Sequence, residues 1–226
     1  MITLADIHRL FRSDEVETAA LRSIDLQIAE GEFVAIMGPS GCGKSTLLNV
    51  IGLIDRPTSG RYLFRGQEAS ELDEAARARL RRDNLGFVFQ SFNLIDELTI
   101  AENIELGLVY RLWAGRERRA RVEAAMDRVG IAHRARHYPH QLSGGQQQRA
   151  AIARAIVGQP ALILADEPTG NLDTENGEQV MDILKSLNAE GTTIVMVTHS
   201  PAHADVAERV VNMLDGRIIV SARRAA

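Results

Sequence analysis

Phe33-Val34-Ala35-Ile36-Met37-Gly38-Pro39-Ser40-Gly41-Cys42-Gly43-Lys44-Ser45-Thr46 decides the fold. Its first five residues form an unbroken apolar run, the pattern of a strand buried on both faces in a parallel sheet. The run ends in glycine, and Gly38 and Gly43 stand before Lys44-Ser45 at the spacing of a phosphate-binding loop. Residues Lys44 to Ile54 then read as a helix, which completes the strand, loop and helix context that this motif needs. Two further buried-strand patterns end in polar residues: Ala161-Leu162-Ile163-Leu164-Ala165 in Asp166-Glu167, and Thr193-Ile194-Val195-Met196-Val197-Thr198 in His199. The C-terminal edge of such strands is where open α/β sheets bind ligands, so the three segments are expected to converge on one crevice.

The rest of the chain reads outward from that core. Ile2 to Leu10 and Arg22 to Ala29 read as strands of an antiparallel β subdomain, with a polar turn at Ser13-Asp14-Glu15 between them. Between Thr99 and Gln159 the periodicity turns helical, with Val122, Ala125, Met126 and Val129 as a buried stripe. Val210 to Val220 reads as a hairpin around Asp215-Gly216, and Ala222 to Ala226 as a frayed tail. The expected class is α/β: a P-loop NTPase core with a mostly parallel sheet, an antiparallel β subdomain and an inserted helical subdomain. Residues 1–226 are expected to form a single domain. Its nucleotide-binding core with the β subdomain takes 1–90 and 159–226, and its helical subdomain takes 91–158.

The chemistry follows from the residue types. Glycines let the backbone of the loop curl so that its N–H groups face phosphates, and the following helix adds about half a positive charge from its dipole. Lys44 reaches the β- and γ-phosphates, and the Ser45 hydroxyl is a ligand for Mg²⁺, which arrives with the nucleotide. The nucleotide-binding set is Gly38, Pro39, Ser40, Gly41, Cys42, Gly43, Lys44, Ser45 and Thr46. Asp166 is expected to hold Mg²⁺, and Glu167 to act as general base on the attacking water, since side chains alternate along an extended segment. Gln90, closing the strand-like Leu85 to Phe89, offers a neutral amide to Mg²⁺ or water, and His199 a hydrogen bond to the γ-phosphate or the water.

A second glycine turn, Leu142-Ser143-Gly144-Gly145-Gln146, precedes a helical run from Gln147 to Val157. Exposed N–H groups at a helix N-terminus favour an anion, so Ser143, Gly144, Gly145 and Gln146 join the nucleotide-binding set. One nucleotide is wrapped from its own side by only one of the two glycine segments. Together they suggest ATP held between two copies of the chain.

In their order, Gly38 to Ser45, Gln90, Leu142 to Gln146, Asp166-Glu167, Asn171-Leu172-Asp173 and His199 resemble the Walker A, Q-loop, signature, Walker B, D-loop and H-loop of an ABC transporter ATPase subunit. The resemblance covers nearly the whole chain. Gly86-Phe87-Val88-Phe89-Gln90, Leu142 to Arg149 and Asp166 to Asp173 are similar to the lipoprotein-release and macrolide-export branch. It implies ATP hydrolysis in a head-to-tail dimer, with Lys44 of one copy and Ser143 of the other on the same ATP and Asp173 in the nucleotide-binding set. It also implies that Phe11 stacks on adenine, where many members carry tyrosine. A helix of an integral membrane permease is expected in a groove near Gln90 that Phe92, Leu94, Ile95 and Leu98 could line. The expected location is peripheral, on the cytoplasmic face of the inner membrane.

Bulk properties set the bounds. The net charge is -4, and the 26 Lys and Arg are scattered, which argues against nucleic acid as the main partner. Arg77, Arg79, Arg81 and Arg82, with Arg116 to Arg121, are expected on solvated helix faces. The single cysteine excludes an internal disulfide and a cysteine-built metal site. Met1 to Phe11 lacks the apolar core of a signal peptide, and no apolar stretch approaches the roughly 20 residues that span a bilayer. Two other readings stay open. A cassette acting on nucleic acid or ribosomes would show a tandem copy, a long coiled-coil insertion or a basic face. A regulatory cassette that binds ATP without hydrolysis is separated by phosphate release.

Overall fold

The structure, a computed structural model, describes residues 1–12, 17–111 and 113–223. The expected turn at Ser13-Asp14-Glu15 lies outside them, as does the end of the expected tail at 224–226. In chain order the strands and helices are β1 (Ile2–Arg12), β2 (Glu17–Ile28), β3 (Phe33–Met37), α1 (Lys44–Ile51), β4 (Ser59–Phe64), β5 (Gln67–Glu68), α2 (Glu74–Asn84), β6 (Leu85–Phe89), α3 (Ile100–Glu105), α4 (Gly115–Arg128), α5 (Gly144–Ile156), β7 (Leu162–Asp166), α6 (Thr174–Ala189), β8 (Thr193–Val197), α7 (Pro201–Ala204), β9 (Arg209–Leu214) and β10 (Arg217–Arg223). They gather into two compact units, Met1–Arg81 with Thr193–Ala226, and Arg82–Thr192.

In the first unit β3 lies between β8 and β9, parallel to both, and β10 pairs antiparallel with β9. Every residue from Phe33 to Ile36 and from Thr193 to Val197 is buried, as the unbroken apolar runs require. The Asp215-Gly216 turn joins β9 to β10 as expected, with both residues in the left-handed region. Ala222 and Arg223 correct the tail expectation: they continue the β10 ladder opposite Val210 and Arg209.

A second sheet of this unit runs in the order β2-β1-β4-β5, antiparallel throughout. β1 and β2 run past their expected bounds, β1 by Phe11 and Arg12 and β2 by Glu17 to Leu21, and each contains a bulge. Ile2 and Leu4 face inward on β1, and the alternation then slips so that Ile7 does. The slip coincides with Asp6 at φ 51, and Ser23 at φ 52 does the same on β2 between the buried Leu21 and Ile24. The two irregular residues are tied together. The Ser23 hydroxyl donates to Asp6 Oδ1 at 2.5 Å, and the Asp6 amide donates to Asp25 Oδ1 at 2.9 Å.

Arg77 overturns its solvated expectation. It is 3% exposed, and its guanidinium donates to the Leu53 carbonyl at 2.6 Å, where Arg81 also donates at 2.5 Å. Leu53 follows α1 at φ 58, the left-handed position that usually falls to glycine after a helix. Two cations from α2 thus sit at the negative end of the α1 dipole, and Glu74 pairs with both.

In the second unit β6 and β7 pair in parallel from Leu85↔Leu162 to Phe89↔Asp166. Its segment from Thr99 to Gln159 contains only helical elements and turns among the described residues, with Val122, Ala125, Met126 and Val129 buried as the stripe predicts.

Candidate functional site

In the first unit the loop after β3 needs its glycines for two separate reasons. Gly38, Gly41 and Gly43 adopt φ of 154, 78 and 103°, and a Cβ on Gly38 or Gly43 would overlap the backbone carbonyl of Met213 or Ala20. At Gly41 nothing lies within contact range, so there the conformation alone selects glycine. Pro39, Ser40 and Gly41 are exposed, while Cys42 is buried, its carbonyl accepting the Gly216 amide at 3.0 Å. Lys44 is buried over the loop, and its ammonium donates to the carbonyls of Gly38 at 2.9 Å and Pro39 at 2.8 Å. Gly43 is the N-cap of α1, so no side chain caps that helix. Ser45 is exposed and Thr46 half-buried in its first turn.

The same sheet edge carries His199. β8 runs parallel to β3 with Val197 opposite Ile36, and the Thr198 amide donates to the Ile36 carbonyl at 3.2 Å. His199 follows as an exposed residue. Phe11, also in this unit, is 40% exposed, and the Arg9 guanidinium stands 4.4 Å from its ring centroid. That cation occupies one aromatic face.

The second unit holds the remaining candidates. Gln90 and Glu167 directly follow Phe89 and Asp166, the last pair of the β6 and β7 register. The expectation that strand alternation separates Asp166 from Glu167 is corrected here: β7 ends at Asp166, and Glu167 has φ 47. Glu167 thus leaves the strand in a left-handed backbone, which a glutamate holds at a cost of about 1–3 kcal/mol. The Glu167 carbonyl accepts the Gly170 amide at 3.0 Å, closing that turn.

Gln90 is oriented by a reciprocal pair. Its Nε2 donates to Asn171 Oδ1, and Asn171 Nδ2 donates to the Gln90 carbonyl, each at 3.1 Å. With its nitrogen committed, the Gln90 amide offers its oxygen, the atom type that Mg²⁺ takes. The side-chain oxygens of Gln90 and Asp166 in this unit, and of Ser45 in the first, are each of the type that Mg²⁺ takes. Among the described residues no group of three or more His, Cys, Asp or Glu is placed to hold a metal by itself.

The turn before α5 is closed by reciprocal capping: the Gln146 amide donates to Ser143 Oγ at 3.3 Å and the Ser143 amide to Gln146 Oε1 at 3.2 Å. Gly145 is demanded by packing, since a Cβ there would overlap the Asn176 side chain. That amide is fixed by Asp173, whose Oδ2 accepts from Asn176 Nδ2 at 2.8 Å and whose Oδ1 accepts from the Asn176 amide at 2.8 Å. These bonds, the backbone one first, hold the Asp173 carboxyl below its ordinary value. Gly144 meets only ordinary contacts.

Sequence reasoning gave no role to Gln148, which is 0% exposed and donates to the carbonyls of Phe89 at 3.3 Å and Pro168 at 2.5 Å. A usable signal was its place one helical turn from the small Gly145 and the apolar Ile152, on a face that must be buried. Ile95 is 43% exposed, and Phe92, Leu94 and Leu98 are half-buried.

A family model described as ABC transporter matches residues 21–170. The chain belongs to the ABC transporter family. The cassette is 50% identical over 219 residues to YknY of Bacillus subtilis (strain 168), an uncharacterized ABC transporter ATP-binding protein, covering 97% of this chain and 95% of that one. It is also 50% identical to the macrolide export ATP-binding/permease protein MacB of Azoarcus sp. (strain BH72), covering 97% of this chain but only 33% of MacB, so it spans about a third of that relative. Among solved structures, the dimeric bacterial ABC transporter cassette MJ0796 superposes with a TM-score of 0.93 at 45% identity, covering 100% of both chains. Its dimeric post-hydrolysis state bound to ADP and Pi gives 0.92 at 44%, again with full coverage of both. The P-loop α/β fold class and the ATPase class expected from the sequence stand with this family. No helix among the described residues is long and apolar enough to cross a membrane.

Proposed function

We propose that the cassette binds ATP with Mg²⁺, closes as a head-to-tail dimer around two nucleotides, and hydrolyses them to drive an integral membrane permease. The observation that carries this reading is the loop at the end of β3, where glycine replaces a side-chain cap at the start of α1 and Lys44 is held over the curl. Backbone donors at an uncapped helix N-terminus are an anion cradle. We assign Gly38 to Thr46 to the phosphates, with the Lys44 ammonium on the β- and γ-oxygens, and Phe11 to adenine through the ring face that Arg9 leaves open. Ser45, Gln90 and Asp166 hold Mg²⁺, which supplies neutralisation of phosphate charge.

Glu167 is the general base for the attacking water, with His199 and Gln90 orienting water and γ-phosphate. The strained backbone at Glu167 supports that role, because strain of this kind collects at functional positions. Ser143, Gly144, Gly145 and Gln146 of the second copy, with Asp173, complete each site. The dimeric structure of MJ0796 supports the shared site, and the joined ATP-binding and permease parts of MacB support a membrane partner. We further infer that the cassette sits at the cytoplasmic face of the inner membrane and serves export or lipoprotein- or macrolide-type extrusion, the macrolide export named for MacB supporting the export part. We keep the division into a core of 1–90 with 159–226 and a helical subdomain of 91–158 as part of the proposal.

The test is Glu167→Gln. Hydrolysis measured by phosphate release should slow by about 10²- to 10⁴-fold while ATP binding persists and a closed dimer accumulates in gel filtration with ATP. Undiminished turnover removes Glu167 from the base role. A variant that binds ATP yet stays monomeric, alone and with the permease, removes the shared site.

A further inference from the structure

Helix α5 carries the second glycine turn at its N-terminus, and two of its side chains reach the segment around Gln90 from both ends. Before Gln90, the Gln148 amide donates to the Phe89 carbonyl at 3.3 Å. After it, the Arg154 guanidinium donates to the Phe92 carbonyl at 2.8 Å and the Asn93 carbonyl at 2.5 Å. Phe92 and Asn93 are consecutive non-glycine residues in the left-handed region, at φ 56 and 50, a conformation that persists only where the surroundings hold it. The charged fork of Arg154 collects both of the carbonyls that this reversal produces. Burial pushes its guanidinium below the ordinary value, so the contact is made despite a desolvation cost.

Gln148 carries an imbalance that packing alone does not explain. Its nitrogen serves two carbonyls, Phe89 and Pro168, while its Oε1 is buried with no hydrogen-bond partner among the described residues. A methionine would fill the same volume without stranding an acceptor. The donor end is what the fold uses, and it links α5 to the residues just before Gln90 and just after Glu167. Asn103 is the contrast: equally buried, it spends both ends of its amide on Ile95, Leu98 and Thr99, as a structural clamp does.

We propose that Gln148 and Arg154 are positioning residues that bind Phe89–Asn93 and α5 into one piece, so that a displacement of Gln90 is carried to Ser143-Gly144-Gly145. This rests on the reading that Gln90 and Ser143 both serve the nucleotide. A push on the Gln90 segment then moves the turn that a second copy presents to ATP. Neither residue touches the nucleotide.

The experiment uses the full chain with Mg-ATP and compares Arg154→Met, Arg154→Lys and Gln90→Ala, alone and combined, by steady-state hydrolysis and by hydrogen–deuterium exchange. Arg154→Met should raise exchange in 90–95 and in 143–147 together. It should lower kcat roughly 10- to 100-fold with KM for ATP within about twofold, since misplacement and not binding is at fault. Arg154→Lys should restore part of the rate, because one ammonium can still meet one carbonyl. In the Gln90→Ala background Arg154→Met should add little further loss. Faster exchange confined to 90–95, or the same fold-loss with and without Gln90, overturns the proposal. If Gln90→Ala leaves kcat unchanged, the nucleotide role of Gln90 fails, and the exchange pattern still decides the linkage. Should Arg154→Met not fold, Gln148→Met undergoes the same comparison with the same deciding outcomes.

Discussion

The two glycine turns, Gly38 to Gly43 and Ser143 to Gly145, both open a helix, yet they solve the problem of its unpaired N–H groups in opposite ways. The first gives α1 a glycine N-cap at φ 103 with no side-chain acceptor, whereas the second closes α5 with a Ser143–Gln146 capping box. In the first turn glycine serves backbone shape, joined at Gly38 and Gly43 by close approach to a carbonyl; in the second, Gly145 serves close packing against Asn176 alone. The same residue type at two helix starts therefore reports two different constraints. Under our proposal one turn is a standing cradle and the other must share its capping partners with an incoming phosphate.

Substitutions sharpen this contrast. Gly43→Ala should do the most damage, since it adds left-handed strain of about 1–2 kcal/mol to an overlap with the Ala20 carbonyl costing about 1–3 kcal/mol. Denaturant unfolding should show the sum, and nucleotide binding should fall with it. Gly145→Ala should cost less, about 1–3 kcal/mol, and pairing it with Asn176→Ala should recover only part of the loss, because the Asn176 Cβ would itself stand 2.8 Å from the added methyl. A failure of that rescue would mean that Gly145 answers to its backbone, as Gly43 does, and the contrast would break.

Ser143→Ala should remove about 1 kcal/mol from unfolding stability by loss of the cap. A larger fall in hydrolysis than in stability would separate the nucleotide role from the cap. The smallest effect is on pH. Asp173 titrates below its ordinary value, so its stabilising contribution is complete above about pH 4 and disappears as pH falls through the lowered value. Acid unfolding of Asp173→Asn should lack that loss. An unchanged acid profile would show that the carboxylate does not hold Asn176 against Gly145.

Wherever one apolar pattern sufficed, the sequence was legible. The unbroken runs of β3, β7 and β8 and the hairpin at Asp215-Gly216 announced themselves because burial on both faces and a two-residue turn each leave a local trace. The bulges at Asp6 and Ser23 were not legible, because a reset of the alternation inside a mixed segment leaves no local trace. Arg77 was unreadable as a buried residue, since its partner, the Leu53 carbonyl, is a backbone atom distant in the chain. The candidate residues were found by their types and spacing. What set Glu167 apart from Asp166, a change of backbone region at the end of β7, has no signature in the letters themselves.

The paired irregularities of β1 and β2 constrain how this sheet can be edited. Deleting Asp6 alone would bring Ile7 two places after Leu4, so the inward alternation of β1 would survive while its register shift against β2 between Leu4 and Ile7 would vanish. Removing both together would still leave the register shift between Arg9 and Leu10. Single-residue deletions at these two positions therefore leave the buried side chains of both strands facing inward.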